Sequence, residues 1–112
     1  MSGWPGDRRR LESSVERLAC TRAKRAGWKV VKDGQKGRPD RIFTRAGVRV
    51  WIEFKRPGEC PRPLQEVQHT RLRAQGELVY VCTSVEEAEA ALQDACLQRA
   101  YAAGLARQGA VL

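Results

Sequence analysis

Asp40, Glu53 and Lys55 are the side chains in this sequence whose types and spacing fit a hydrolytic site. Residues 48–55 alternate in character. A strand there puts Val48, Val50, Ile52 and Phe54 on one face and sends Glu53 and Lys55 out together from the other, roughly 7 Å apart. Twelve residues separate Asp40 from Glu53, and they hold a second strand candidate at 41–44 and a hairpin turn at 45–47. Pairing the two strands brings Asp40 beside Glu53. Two carboxylates on neighbouring strands suit a hard divalent cation such as Mg²⁺, which takes a few oxygen ligands and keeps several waters. Such an ion meets both needs of phosphodiester hydrolysis, an acidified water and compensation of the phosphate's charge. A lysine beside Glu53 can orient the water, help deprotonate it or neutralise the phosphate, three roles that the spacing leaves open. Taken singly, each piece has an ordinary reading: Gly37-Arg38-Pro39-Asp40 is a turn, and Glu53-Phe54-Lys55 is a solvated strand face.

The elements that must position these residues follow from periodicity. Apolar residues from Leu11 to Ala26 recur at three- and four-residue steps, which predicts an amphipathic helix over 8–26, capped by Asp7 and closed by Gly27. Glu12 and Glu16 stand one turn apart on its flank, where an exposed glutamate ordinarily pairs with a neighbouring arginine. Residues 28–31 form a short strand, and 32–38 a polar loop leading to Pro39, which holds Arg38 extended. A second basic loop, 56–63, contains three prolines. It opens a helix over 64–75, with Leu64, Val67 and Leu72 as core candidates and Gln65 and His69 one turn apart. A lone histidine there is more often a hydrogen-bonded surface or core-edge residue than a general base. The apolar run 78–82 reads as a strand covered on both faces and deep in a sheet. A capping box around residues 83–87 then launches an alanine-rich helix over 85–103. The order is α-β-β-β-α-β-α, a single domain over 8–104 with flexible termini at 1–7 and 105–112.

The chain carries 21 Lys and Arg against 13 Asp and Glu, a net +8, and 16 of the 21 are arginine. Arginine is the side chain shaped for bidentate phosphate contacts, so a polyanion partner is favoured. Lys36, Arg38, Arg56 and Arg62 flank the candidate site in loops expected to be mobile, and are the candidate DNA contacts. The four cysteines are scattered, with neither a CxxC zinc pattern nor a disulfide framework. With no signal-like segment and no apolar run long enough to span a bilayer, the chain reads as a reduced cytoplasmic protein with no membrane role.

Gly37-Arg38-Pro39-Asp40, then Glu53-Phe54-Lys55, then Gln65 opening a helix after a proline-rich loop, with Glu16 on the first helix, resembles the VRR-NUC family of PD-(D/E)xK nucleases. The resemblance covers about residues 11–92 and includes the apolar strand 78–82. It implies an α/β, restriction-endonuclease-like fold, a mixed four-stranded sheet flanked by helices, and metal-dependent cleavage of DNA with Mg²⁺ or Mn²⁺. Position by position, it makes Asp40 and Glu53 metal ligands, Lys55 the catalytic lysine, Glu16 a further acidic ligand at the site, and Gln65 the glutamine that supports the site from the second helix. Glu16 is preferred to Glu12 because it stands eleven residues before Gly27, the family's spacing. The chain looks like the compact, stand-alone members of phages and bacteria, some of which resemble Holliday junction resolvases in fold and dimeric organisation. A two-fold homodimer acting on branched DNA is the resulting expectation, with Leu97, Tyr101 and Leu105 as a candidate interface stripe. Two other readings stay open: a catalytically silent basic DNA-binding module that keeps the fold, and a nuclease subunit that needs a partner protein.

Overall fold

A computed structural model describes residues 4–107 and the side-chain environments of residues 14–105 and 107. Seven elements follow in the order α1 (Trp4–Arg25), β1 (Lys29–Lys32), β2 (Arg41–Arg45), β3 (Val48–Phe54), α2 (Pro63–Ala74), β4 (Leu78–Cys82) and α3 (Val85–Arg107). Leu11 and Glu12 lie outside the described side chains. Helix α1 starts at Trp4, so Asp7 sits within it rather than capping it; Pro5 is compatible with a first turn, where its missing N–H costs nothing. Helix α3 likewise continues past residue 103, through Gly104 and then the good helix formers Leu105 and Ala106, to Arg107.

The sheet has the order β1-β2-β3-β4. Strands β1, β2 and β3 form an antiparallel meander, and β4 joins β3 in parallel after the α2 crossover. On one face, Phe43, Val50, Ile52 and Phe54 pack with Ala19 and Ala23 of α1 and Ala88, Leu92 and Ala95 of α3. The other face is smaller: Trp51, Leu72 and Val79, with Ile42 against them, lie under α2. Here β4 departs from expectation. It is the edge strand rather than a deep one, and Val81 is exposed. Its apolar composition reflects burial of Val79 and Cys82 on opposite faces, not neighbours on both edges.

Helix α2 also turns differently. Gln65, His69 and Leu72 are its buried residues, whereas Leu64 and Val67 are nearly half exposed. The helix presents polar side chains inward because the face of β3 that it covers carries Glu53 and Lys55.

The β2–β3 hairpin fixes the register on which the site depends. Arg45 pairs with Val48, so the loop between them is Ala46-Gly47, and both residues have positive φ, 50° and 82°. That is the two-residue type I′ geometry, whose twist matches the flanking strands. The Arg45 guanidinium stacks 4.5 Å over the Trp28 ring and donates to the Ala26 carbonyl at 2.8 Å, tying the hairpin to the end of α1. Alanine carries a steric cost in the left-handed region that asparagine largely avoids. Ala46→Asn is therefore expected to stabilise the fold by up to about 1 kcal/mol, seen as a higher urea midpoint at unchanged slope; a lower midpoint would show that the turn is not of this type.

Candidate active site

Strand pairing brings the two carboxylates together. The last β2–β3 pair is Arg41 with Ile52, and one step further along the same register Asp40 faces Glu53. Pro39 is fully buried, and the Asp33 N–H donates to the Asp40 carbonyl at 3.2 Å, so the backbone entering β2 is held from both sides. The Asp40 carboxylate reaches across to β3, where its Oδ2 accepts the Phe54 N–H at 3.0 Å.

Glu53 and Lys55 are not on a solvated face. They are 2% and 7% exposed, and Lys55 Nζ lies 3.5 Å from Glu53 Oε2. Gln65 donates from Nε2 to the same Glu53 oxygen at 3.1 Å, while its own carbonyl accepts the Arg62 N–H at 2.8 Å. That second bond fixes which end of the amide faces Glu53, since only the amino end is left to point at a carboxylate. Glu53 Oε1 is buried with no hydrogen-bond partner.

The electrostatics follow from this crowding. Burial, then the neighbouring Asp40 charge, pushes Glu53 up to about 7, against the opposing pull of Lys55. Burial also raises Asp40, opposed by the Phe54 N–H. Two acids this close, with Glu53 buried, share negative charge poorly, and a cation between them relieves both.

The remaining expected residues fall in three groups. Glu16 lies close enough for its charge to act on Asp40, yet its Oε2 is taken by Arg41 Nε at 2.6 Å. Among the described residues no group of three or more His, Cys, Asp or Glu is placed to hold a metal ion; the carboxylates in contact are the pair Asp40 and Glu53. Arg38 and Arg56 have partners: Arg38 lies 3.6 Å from Asp33 and 5.5 Å over the Trp51 ring, and Arg56 donates to Glu59 at 2.9 Å. Lys36 and Arg62 are exposed. The loop before Asp40 is packed rather than loose. Gly37 has φ 83°, and a Cβ there would meet Leu64 Cγ at 2.8 Å, so glycine lets the loop lie directly on α2.

Two residues near the site escaped the sequence reading. Arg41, the partner of Glu16, was counted only as the start of a strand. His69 was set aside as a core-edge residue, although its four-residue spacing from Gln65 was the available signal; it is 2% exposed and lies within the electrostatic reach of Lys55. The chemistry sits at one end of the sheet, apart from an apolar groove of about 280 Å³ between α1 and α3 that these residues do not line.

An antiparallel meander with a parallel fourth strand, helices on both faces, and an acid pair with a lysine at the open end of the β2–β3 hairpin define a restriction-endonuclease-like fold with a PD-(D/E)xK arrangement. No family model matches the sequence. A solved structure described as a VRR_NUC domain superposes with a TM-score of 0.68 at 28% identity, over 74% of this chain and 95% of that one. A curated relative, "Putative nuclease p44" of Acyrthosiphon pisum secondary endosymbiont phage 1, is 36% identical over 77 residues, 65% of this chain and 83% of the relative. The chain belongs to the VRR-NUC family.

Because the folded-state pKa of Glu53 is raised above its unfolded value, the metal-free folded protein holds a proton that the unfolded chain releases. That contribution to stability is complete below about pH 4.5 and lost as pH rises to about 7. Thermal unfolding in chelator should therefore show a lower midpoint at pH 8 than at pH 5.5, and Glu53→Gln should flatten the dependence. An equal slope in wild type and variant would remove Glu53 as its source.

Proposed function

We propose that this protein is a metal-dependent DNA endonuclease with a preference for branched DNA. The observation that supports it best is the pairing of half-buried Asp40 with buried Glu53, with Lys55 Nζ and the Gln65 amide both on Glu53 Oε2 and Glu53 Oε1 left without a partner. That donor set fits Mg²⁺ or Mn²⁺, hard cations that need one or two carboxylates and retain waters. Asp40 and Glu53 would hold the ion, and Glu16, whose Oε2 is held by Arg41, would join them through its other oxygen or on release from Arg41. Such an ion, when bound, supplies a more acidic water and positive charge for the phosphate oxygens.

The chain's own residues do the rest. Gln65 keeps Glu53 from rotating away, and the Phe54 N–H does the same for Asp40. Lys55, anchored by its backbone N–H to the Cys82 carbonyl at 2.9 Å, offers its amino group to the phosphate or to the attacking water. Lys36 and Arg62 are exposed beside the site for backbone contacts. Arg38 and Arg56 would exchange Asp33 and Glu59 for phosphates. Contacts of this kind position the duplex without reading sequence.

Asp40→Asn, Glu53→Gln and Lys55→Ala are each expected to lower Mg²⁺- or Mn²⁺-supported cleavage by at least about a hundredfold while leaving the fold intact. A panel of duplex, flap, single-stranded and four-way-junction DNA measures this and reads the substrate preference together. Full activity in Glu53→Gln would overturn the site. Metal-independent binding without cleavage would favour the silent module, and cleavage appearing only with an added protein would favour the partner-dependent subunit.

Paired cuts across a junction need two sites, and a symmetric dimer supplies them from one chain. Leu97 and Tyr101 on α3 are 64% and 70% exposed, one turn apart, which supports an interface there. Sedimentation at micromolar concentration should give about twice the 12.6 kDa chain mass. A persistent monomer would remove the dimer and the case for junctions with it.

A further inference from the structure

His69 takes no part in the chemistry above, yet, like Glu53, it has a buried polar atom at odds with its surroundings. It lies one turn past Gln65 on the inward face of α2, is almost wholly buried, and its Nε2 has no hydrogen-bond partner. A packing role alone would be served better by leucine or methionine, because a sealed imidazole nitrogen without a partner is costly. Across from this face, Lys55 is also buried and has three hydrogens to donate; the partner recorded for its Nζ is Glu53 Oε2, at the long distance of 3.5 Å. A buried imidazole nitrogen without a partner and a buried amino group with spare hydrogens thus lie within electrostatic reach of each other, with Gln65 one turn from His69 on α2 and Glu53 beside Lys55.

We propose that His69 is a positioning residue for Lys55: once Glu53 is engaged in the proposed site, unprotonated His69 Nε2 accepts a hydrogen bond from Lys55 Nζ and fixes the direction of the amino group. This deepens the nuclease reading and rests on it. The imidazole is suited to accept. Burial, then Arg73 and Lys55, push its pKa below the ordinary histidine value, against a smaller upward pull from Glu66, which favours the neutral ring. Which ring nitrogen carries the proton is set by the bond that the other makes, so an accepting Nε2 requires the proton on Nδ1.

Paired substitutions separate positioning from packing. Gln places a carbonyl near the Nε2 position, whereas Met fills similar space with no comparable acceptor. With Mg²⁺ or Mn²⁺, His69→Met is expected to lower kcat about tenfold to a hundredfold at little change in KM, as for a misdirected group, and His69→Gln to recover most of that loss. Equal activity in the two variants would overturn the proposal. Should His69→Met not fold, side-chain ¹⁵N spectra of the wild-type protein with Mg²⁺ decide the matter. An unprotonated Nε2 whose signal moves in Lys55→Met supports the contact, and a protonated Nε2, or a signal indifferent to Lys55→Met, overturns it. A wild-type protein that cleaves no DNA would sink the nuclease reading alone, because the imidazole spectra report the His69–Lys55 contact without turnover.

Discussion

Holding two carboxylates against each other, one of them buried, is the constraint on which the rest of the molecule depends. Left to themselves, Asp40 and Glu53 would separate or rotate to solvent, since mutual repulsion and lost hydration both oppose the arrangement. The backbone denies them that escape. Asp40 is fixed by the β2–β3 register and by the Phe54 N–H, and Glu53 by the strand behind it and the amide of Gln65. Lys55 offsets part of the charge, but the unpartnered Oε1 of Glu53 shows that the protein alone does not satisfy the pair.

The two faces of the sheet divide the labour this imposes. The α1/α3 side is a conventional core, with Phe43, Val50, Ile52 and Phe54 buried almost completely against alanine-rich helices that can approach closely. The α2 side is given over to polar groups for half its length and is apolar only around Trp51, Leu72 and Val79. Stability is built on one face of β3 so that its other face can carry charge. The edge position of β4 belongs to the same economy, because a single parallel strand is enough to anchor Lys55 through the Cys82 carbonyl.

Much of this was legible in the residues. The alternation over 48–55 and the turn signal at 45–47 were sufficient to bring Asp40 beside Glu53, but the loop is Ala46-Gly47, one residue shorter than that signal, and it is this that puts Asp40 directly opposite Glu53. What the pattern does not encode is depth. Glu53 and Lys55 look like a solvated face because periodicity reports which residues share a side, not what covers it. The cover is α2, whose phase was misjudged for the same reason: Leu64 and Val67 were read as core by their type, whereas the helix turns Gln65 and His69 inward to meet charge. The commitment of Glu16 to Arg41 was equally invisible, since those residues lie 25 positions apart and neither stands out in its own segment.

Gln65 carries a consequence of another kind. Its side chain must accept from the Arg62 N–H and donate to Glu53 at once, and so staples the first turn of α2 to the acidic pair. Glutamate at neutral pH can only accept, lysine and arginine can only donate, and leucine and proline can do neither. Histidine offers both, but on a rigid ring of different reach. These, with termination, are all the outcomes that a single base change in a glutamine codon can produce. No mutational step from this residue preserves both bonds, so the position stands isolated in sequence space, and any lineage that leaves it must repair α2 and the carboxylates together.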